Sequence, residues 1–189
     1  MSLFPRNVKL LSTLRLLEGG WSKGNFENFN LALHVDDEQG AVLANRDLLL
    51  SHYNLPSKPL WINQIHSNIT VNAKSISSIV DADASYTRQP GIVCSVLTAD
   101  CLPIFVSNKE GTAVGVAHAG WRGIVDGIIE SLIESFDCNG KDLVVHLGPA
   151  ISQLSFEVGS EVKSQYLSKN KNFENCFTNL NNKYYLDLY

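Results

Sequence analysis

The chain has 189 residues, of which 44% are hydrophobic and 18% charged, so it can bury one substantial core and we expect a single domain over 1–189. Its formal net charge of −4 argues against a nucleic-acid-binding surface, because neutralising phosphates requires a clustered excess of basic residues. No apolar run approaches the roughly 20 residues that cross a bilayer, and residues 1–6 lack the pattern of a secretory signal. We therefore expect a cytoplasmic protein with free thiols that binds neither membranes nor nucleic acid.

The first half of the chain predicts one helix among short strands. Residues 8–17 predict a strand that enters a glycine turn. Apolar residues at helical spacing predict a helix over 40–53. Short apolar runs at 60–65 and 69–71 predict strands on either side of His66, which would place this histidine at a strand edge or in a turn.

A cysteine lies between two further apolar runs. Residues 92–97 have the composition of a buried strand, and Cys101 follows just beyond its end. The next run, 102–106, is interrupted by Pro103, which lacks a backbone N–H and so predicts an edge strand or a bulge.

The last part of the core is predicted to be strand, helix and strand. A narrow glycine-containing strand at 113–117 leads to His118. Apolar residues at i, i+4 spacings predict one amphipathic helix over 124–136, which ends at Gly140. A buried strand is predicted at 143–147. Long spacings between strands and few helices indicate an α+β fold with mixed sheets.

Three side chains in this pattern are competent ligands for a soft or borderline metal, namely His66, Cys101 and His118. Two imidazoles and one thiolate leave a fourth coordination position free, as catalytic zinc sites do. The spacing is long-range and lacks a local signature such as C-x-x-C. From spacing alone, an inert buried cysteine and two hydrogen-bonded histidines therefore remain an alternative.

A series of short motifs runs in a single order from about residue 13 to residue 162. Its members are Gly19-Gly20 with Ser22, Asn30-Leu31, His34-Val35 with Asp37, Asn45-Arg46, Asn63-Gln64-Ile65-His66-Ser67, Asp81-Ala82-Asp83-Ala84 with Thr87, Leu97-Thr98-Ala99-Asp100-Cys101-Leu102-Pro103, Ala117-His118-Ala119-Gly120-Trp121-Arg122-Gly123, Leu147-Gly148-Pro149-Ala150-Ile151 and Phe156-Glu157-Val158-Gly159. The ordered set resembles the YfiH-like family, which is also called the laccase-domain or polyphenol-oxidase-like family and now a purine nucleoside phosphorylase family.

The resemblance implies a layered sandwich in which helices flank two β layers. It also implies phosphorolysis of purine nucleosides (adenosine, inosine, guanosine and methylthioadenosine) to base and ribose 1-phosphate, with adenosine deamination alongside. The expected partners are thus a purine nucleoside and phosphate, and the expected cofactor is Zn²⁺, with copper as the alternative. Family members continue through a further helix and strand, so we expect this chain to be a C-terminally truncated copy.

Four other side chains are candidates for the chemistry. Arg46 and Arg122 match phosphate oxygens bidentately, and Arg122 also starts a helix, where free N–H groups favour anions. Asp100, next to Cys101, is a candidate general acid/base or partner of a ligand imidazole. Gln64 is a candidate for lining the substrate site. The alternatives are surface salt bridges for the arginines, a turn cap for Asp100 and loop hydrogen bonds for Gln64.

Three other functions are weighed against the phosphorylase. A metal-free cysteine hydrolase or deamidase would use Cys101 as nucleophile and His118 as base, but leaves His66 unexplained. A copper polyphenol oxidase needs a second, imidazole-rich copper cluster, and the chain has only five histidines. A non-enzymatic zinc-binding module does not need an open coordination position.

Overall fold

The computed structural model describes residues 4–189, which form two sheets with helices packed against them. The α-helices are α1 (Gln39–His52), α2 (Trp121–Asp126), α3 (Ile128–Glu134) and α4 (Ser160–Lys169). The strands are β1 (Thr70–Asn72), β2 (Ala84–Thr87), β3 (Leu102–Asn108), β4 (Val114–Ala119), β5 (Leu143–Leu147), β6 (Glu157–Val158), β7 (Phe177–Leu180) and β8 (Lys183–Leu186). None of the helices within 4–189 is both long and apolar enough to span a membrane.

The larger sheet has five strands in the order β1-β2-β4-β3-β5. Its β1 and β2 run parallel, and every other neighbouring pair is antiparallel. The smaller sheet is antiparallel, with the order β6-β8-β7. The predicted α+β fold with mixed sheets flanked by helices is confirmed.

The main core lies between the five-stranded sheet and the helices. Alternate residues of β3, namely Leu102, Ile104 and Val106, are buried in one cluster with Ile128 and Leu132 of α3. The close approach of α3 depends on Gly115 of β4, because a Cβ there would come within 2.9 Å of Leu132 Cδ1. This packing fixes the strands that carry the candidate site.

A second, smaller cluster lies beside α1 and includes Phe29, Leu31 and Leu49. Asn45 of α1 is fully buried here and organises the N-terminal loops. Its Oδ1 accepts the Trp21 N–H at 2.8 Å, and its Nδ2 donates to Ser22 Oγ and to the Asn30 carbonyl at 2.9 Å each. The hydrogen bonds of this one buried amide therefore hold together N-terminal loops that are not paired in a sheet.

Five of the nine predicted elements are present in the structure and four are wrong. The runs at 69–71, 102–106 and 143–147 are β1, β3 and β5. The predicted helix over 40–53 is α1, and the predicted strand over 113–117 is β4. Residues 8–17 form no strand, because their hydrogen bonds with Asn28 and Phe29 do not extend into a ladder. The single helix over 124–136 is instead divided into α2 and α3 at Gly127, whose φ of 93° interrupts a right-handed helix.

The two apolar runs around residue 60 and residue 94 form only isolated bridges. Leu60 bridges Cys94, and Asn63 bridges Asp81. The prediction of full strands at 60–65 and 92–97 was therefore wrong.

The predicted positions of two strands in the sheet were also wrong. Pro103 does not mark an edge, since β3 lies between β4 and β5. The proline is tolerated because the β5 ladder begins only at Ile104. Instead β5 is the edge strand, and Val145 and Leu147 are each 41% exposed where a buried strand was expected.

Candidate metal centre

The antiparallel pairing of β3 and β4 brings two of the three candidate ligands to one end of the sheet. Cys101 immediately precedes β3, and His118 is the second-last residue of β4. Leu102 pairs with Ala119, which brings Cys101 and His118 to the same end of the sheet although they are 17 positions apart in the chain. His66 comes from the loop that precedes β1.

The three side chains converge. One ligand atom from each of His66, Cys101 and His118 lies within 4.8 Å of the others, and Cys101 Sγ is 4.0 Å from His66 Nε2. The two imidazole centroids are 4.8 Å apart, with the rings inclined at 72°. His118 is buried, Cys101 half-buried and His66 exposed, so one side of the group opens to solvent.

Gly120 makes room for this group. A Cβ at this position would lie 2.9 Å from Cys101 Sγ and 2.9 Å from His66 Cδ2. The glycine has φ −73° and ψ 162°, which any residue adopts, so the requirement is for space and not for a special backbone conformation. The side chains of Cys101 and His66 occupy the volume that a larger residue would fill.

A fully buried carboxylate, Asp83, lies behind the site. Its Oδ1 is 2.9 Å from His118 Nδ1, and its Oδ2 accepts the N–H and the Oγ–H of Ser67 at 2.6 and 2.8 Å. Burial alone would raise its pKa, but the hydrogen bonds from His118, Ser67 and Ile65 lower that pKa to about 2. Asp83 therefore stays ionised.

The two histidines have opposite pKa shifts. Burial would lower the pKa of His118, but hydrogen bonds and charge from Asp83 and Cys101 raise it to about 9. Burial lowers the pKa of His66, and the charges of His118 and Arg122 lower it further, against the opposing effect of Asp83. His66 thus favours the neutral, ligand-competent form.

The structure places the predicted arginines differently. Arg122 is exposed and forms no ion pair within 4–189; its guanidinium lies 5.1 Å from the centroid of the Trp121 ring. Its positive charge is the smallest of the causes that act on the pKa of His66, and it lowers that pKa. Arg46 donates from Nε and Nη2 to the Leu31 carbonyl at 2.9 and 2.8 Å and stacks 3.9 Å above the Trp61 ring. Among residues 4–189, neither arginine makes the surface salt bridge considered as the alternative.

Gln64 is engaged by a loop. Its Nε2 donates to the Leu97 carbonyl at 2.8 Å, and its Oε1 accepts the Leu97 N–H at 2.7 Å. Gln64 also lines a cavity of about 170 Å³ together with Arg46, Trp61 and Leu97. The structure thus shows that the Gln64 side chain is hydrogen-bonded to the loop at Leu97, and contact of Gln64 with substrate stays a prediction.

Asp100 is exposed next to Cys101, and its side chain makes no hydrogen bond to any residue of the described chain. The carboxylate that hydrogen-bonds the His118 imidazole belongs to Asp83, and not to Asp100, which was a candidate for this role. Asp83 belongs to the Asp81-Ala82-Asp83-Ala84 motif, and no role was predicted for it. The available signal was a carboxylate placed among alanines at the start of a buried strand, where a charge needs several partners.

The family model described as "Multi-copper polyphenol oxidoreductase laccase" matches residues 11–189. The chain belongs to this laccase-domain family. The resemblance predicted from the motifs is thereby confirmed. Within residues 4–189, His66, Cys101 and His118 are the one group of three or more potential ligands, so the laccase-domain chain has a single candidate centre there and no second cluster for several coppers.

Relatives of this laccase-domain chain carry the name purine nucleoside phosphorylase. Escherichia coli purine nucleoside phosphorylase YfiH is 38% identical over 187 residues, which are 98% of this chain and 76% of that protein. Pseudomonas aeruginosa purine nucleoside phosphorylase PA4543 is 39% identical over 173 residues, or 92% of this chain and 69% of the relative.

Solved structures agree with the fold. A Neisseria meningitidis protein of the family DUF152 superposes with a TM-score of 0.93 at 38% identity, covering 100% of this chain and 77% of the other. YlmD from Geobacillus stearothermophilus superposes with a TM-score of 0.78 at 26% identity, covering 90% of this chain and 69% of the other.

Proposed function

We propose that this chain is a zinc-dependent purine nucleoside phosphorylase that also deaminates adenosine, with His66, Cys101 and His118 as the metal ligands. The observation that carries the proposal is the convergence of two imidazoles and one thiolate at a partly open position. It is supported by the name purine nucleoside phosphorylase that several relatives bear.

The donor set fits a single zinc ion. Two ligands of one tetrahedral zinc lie about 3.3–3.6 Å apart, given the usual Zn–N and Zn–S bond lengths. The three donor atoms are already within 4.8 Å of one another, and His66 is exposed enough to close the difference by side-chain rotation. Copper also accepts two imidazoles and a thiolate, so it is the alternative metal. When bound, the metal would supply Lewis-acid polarisation or an activated water.

The residues around the centre suit phosphorolysis. In that reaction a phosphate oxygen bonds to ribose C1′ as the C1′–N9 bond breaks, and the base leaves with the bonding electron pair and gains a proton. The exposed guanidinium of Arg122 is available to bind phosphate oxygens. Asp100 is exposed beside Cys101 without a hydrogen-bond partner in the described chain, so it is free to hold the proton for the leaving base.

Arg46 and Gln64 are proposed to contact a polar part of the nucleoside. They line the same cavity. Arg46 uses Nε and Nη2 for the Leu31 carbonyl, while its Nη1 has no hydrogen-bond partner among residues 4–189. A guanidinium held in place by stacking on Trp61 loses little further entropy when it binds a ligand.

The test is product analysis by chromatography after incubation with adenosine, with and without phosphate. We expect adenine and ribose 1-phosphate when phosphate is present, and inosine in both cases. Both products should disappear after chelation of the metal. Arg122→Ala should reduce phosphorolysis more than deamination, because only phosphorolysis needs bound phosphate. The matched control is Arg6→Ala, at an exposed arginine of the N-terminal segment.

One observation favours a second candidate function, a metal-free cysteine hydrolase. Asp83, His118 and Cys101 form a carboxylate–imidazole–thiol series, with Asp83 Oδ1 2.9 Å from His118 Nδ1. This reading gives His66 no part in the chemistry. It replaces the phosphorylase if every purine nucleoside is left unchanged, or if activity persists after complete metal removal.

A further inference from the structure

Asp83 contacts both histidines of the candidate centre. Its Oδ1 is 2.9 Å from the Nδ1 atom of His118 and accepts the backbone N–H of His66 at 3.0 Å. Its Oδ2 accepts the backbone N–H groups of Ile65 and Ser67 at 3.2 and 2.6 Å, and the Ser67 hydroxyl at 2.8 Å. One buried carboxylate therefore joins strand β4 to the loop that carries His66.

The contact with His118 determines which ring nitrogen can bind a metal. An ionised carboxylate only accepts hydrogen bonds, so His118 Nδ1 must carry the proton. In the neutral ring this leaves the lone pair on Nε2. The main chain supports the same arrangement, because the His118 N–H donates to the Asp83 carbonyl at 2.7 Å.

The contacts with the loop fix the other histidine. His66 has a φ of 59°, a left-handed conformation that is uncommon for any residue other than glycine. Three consecutive backbone N–H groups, from Ile65 to Ser67, point at the Asp83 carboxylate. Such a concave row of N–H groups is suited to an anion, and here the anion is a side chain of the same protein.

We propose that Asp83 is a positioning residue that holds two metal ligands at once, His118 through its ring and His66 through its backbone. The inference rests on the proposed centre for the identity of the ligands. The specific consequence is that both ligands lose their support together. Removing the carboxylate takes away the acceptor that holds the proton on His118 Nδ1, and it also releases the loop that carries His66. A carboxylate that served one ligand only would affect that ligand alone.

The first experiment uses metal-free protein, so its outcome does not depend on activity. Nitrogen-15 NMR of the histidine rings reports the proton on His118 Nδ1, which is present whether the ring is neutral or charged, and amide hydrogen exchange reports the N–H groups of Ile65, His66 and Ser67. We expect the wild type to show a hydrogen-bonded proton on His118 Nδ1 and slow exchange at the three amides. Asp83→Asn should change both readouts, whereas Asp36→Asn, at an exposed aspartate whose side chain has no hydrogen-bond partner among residues 4–189, should change neither.

A second variant separates the two contacts and protects against misfolding of Asp83→Asn. Ser67→Ala removes one donor to Asp83 and leaves His118 untouched. We expect faster exchange at residues 65–67 with an unchanged hydrogen-bonded proton on His118 Nδ1. If Ser67→Ala alters neither property, or if Asp83→Asn alters only one of them, the proposal that Asp83 holds both ligands is overturned.

The second experiment is a Co²⁺ titration followed by the absorption of the thiolate–cobalt complex. Asp83→Asn should weaken Co²⁺ binding by about 10- to 100-fold, the usual effect of losing a partner of a metal-bound histidine. Affinity within threefold of wild type would contradict the inference. If the wild type itself binds no Co²⁺, the proposed metal centre is wrong. The NMR and hydrogen-exchange results on metal-free protein then decide alone whether Asp83 holds both histidines.

Discussion

The replacement Gly120→Ala tests the geometry of the centre without removing any ligand. Alanine adopts the observed φ of −73° and ψ of 162° without strain. The added Cβ would lie 2.9 Å from both Cys101 Sγ and His66 Cδ2, whereas nonbonded heavy atoms prefer about 3.5–4.0 Å. One or both ligands must therefore move by about 0.6 Å or more.

This displacement has unequal effects on metal binding and on folding. Metal–ligand distances tolerate deviations of only about 0.2 Å, so we expect zinc affinity to fall at least tenfold, or about 1.4 kcal/mol. Overpacking lowers the free energy of unfolding by roughly 1–3 kcal/mol. Replacing glycine by alanine also restricts the unfolded chain, which raises that free energy by about 0.4–1 kcal/mol. Because the exposed His66 side chain can rotate away, the metal-free protein should lose only about 1 kcal/mol of unfolding free energy.

The assay is a zinc titration against a chromophoric chelator, paired with urea unfolding of the metal-free protein. Gly140→Ala is the matched control, since a Cβ at Gly140 has no neighbouring atom within 4 Å. Zinc binding by Gly120→Ala within threefold of wild type would contradict this geometry, as would a zinc affinity that falls only in proportion to a general loss of stability.

Three further predictions concern single groups. Cys101→Ala should abolish stoichiometric zinc binding and nucleoside cleavage, because it removes the one charged ligand; metal analysis and product chromatography would show it, and retained activity would contradict it. The pKa of Asp83, about 2 against an ordinary 3.8, predicts a stabilising contribution that is present above about pH 4 and is lost as the pH falls towards 2. Urea unfolding of metal-free protein across this range should show a steeper acid loss for wild type than for Asp83→Asn, and equal slopes would count against the buried ion. Burial raises the pKa of Cys94 to about 11, so iodoacetamide at pH 8 should modify the exposed Cys138 and leave Cys94 unmodified until the chain is unfolded. Mass spectrometry measures the labelling, and modification of Cys94 in the folded protein would contradict the prediction.

Local periodicity was enough to predict some elements and not others. The helix α1 and the strand β4 have patterns that extend over their full length, and the structure confirms both. The apolar residues of 8–17 looked equally strand-like, yet a strand also requires a hydrogen-bonded neighbour that the local pattern does not specify. The split of the second helix depended on Gly127, whose left-handed φ could not be inferred from spacing.

The candidate centre was predictable in residue type but not in its support. Thiol and imidazole chemistry singled out Cys101 with His66 and His118, and the structure brings them together. The sequence indicates that Asp83 needs buried partners but not which ones, because its donors lie 16–18 residues away and its imidazole partner 35 residues away. Such contacts arise from the alignment of a loop with strand β4, which sequence spacing does not encode.

The central claim is that one metal ion binds where His66, Cys101 and His118 meet. The most direct test is anomalous X-ray diffraction at the zinc edge from crystals of zinc-loaded protein. We expect a single strong peak per chain, from an ion bonded to the Cys101 sulfur and to one nitrogen of each histidine. A peak located elsewhere, or no peak at this position at a saturating zinc concentration, would contradict it.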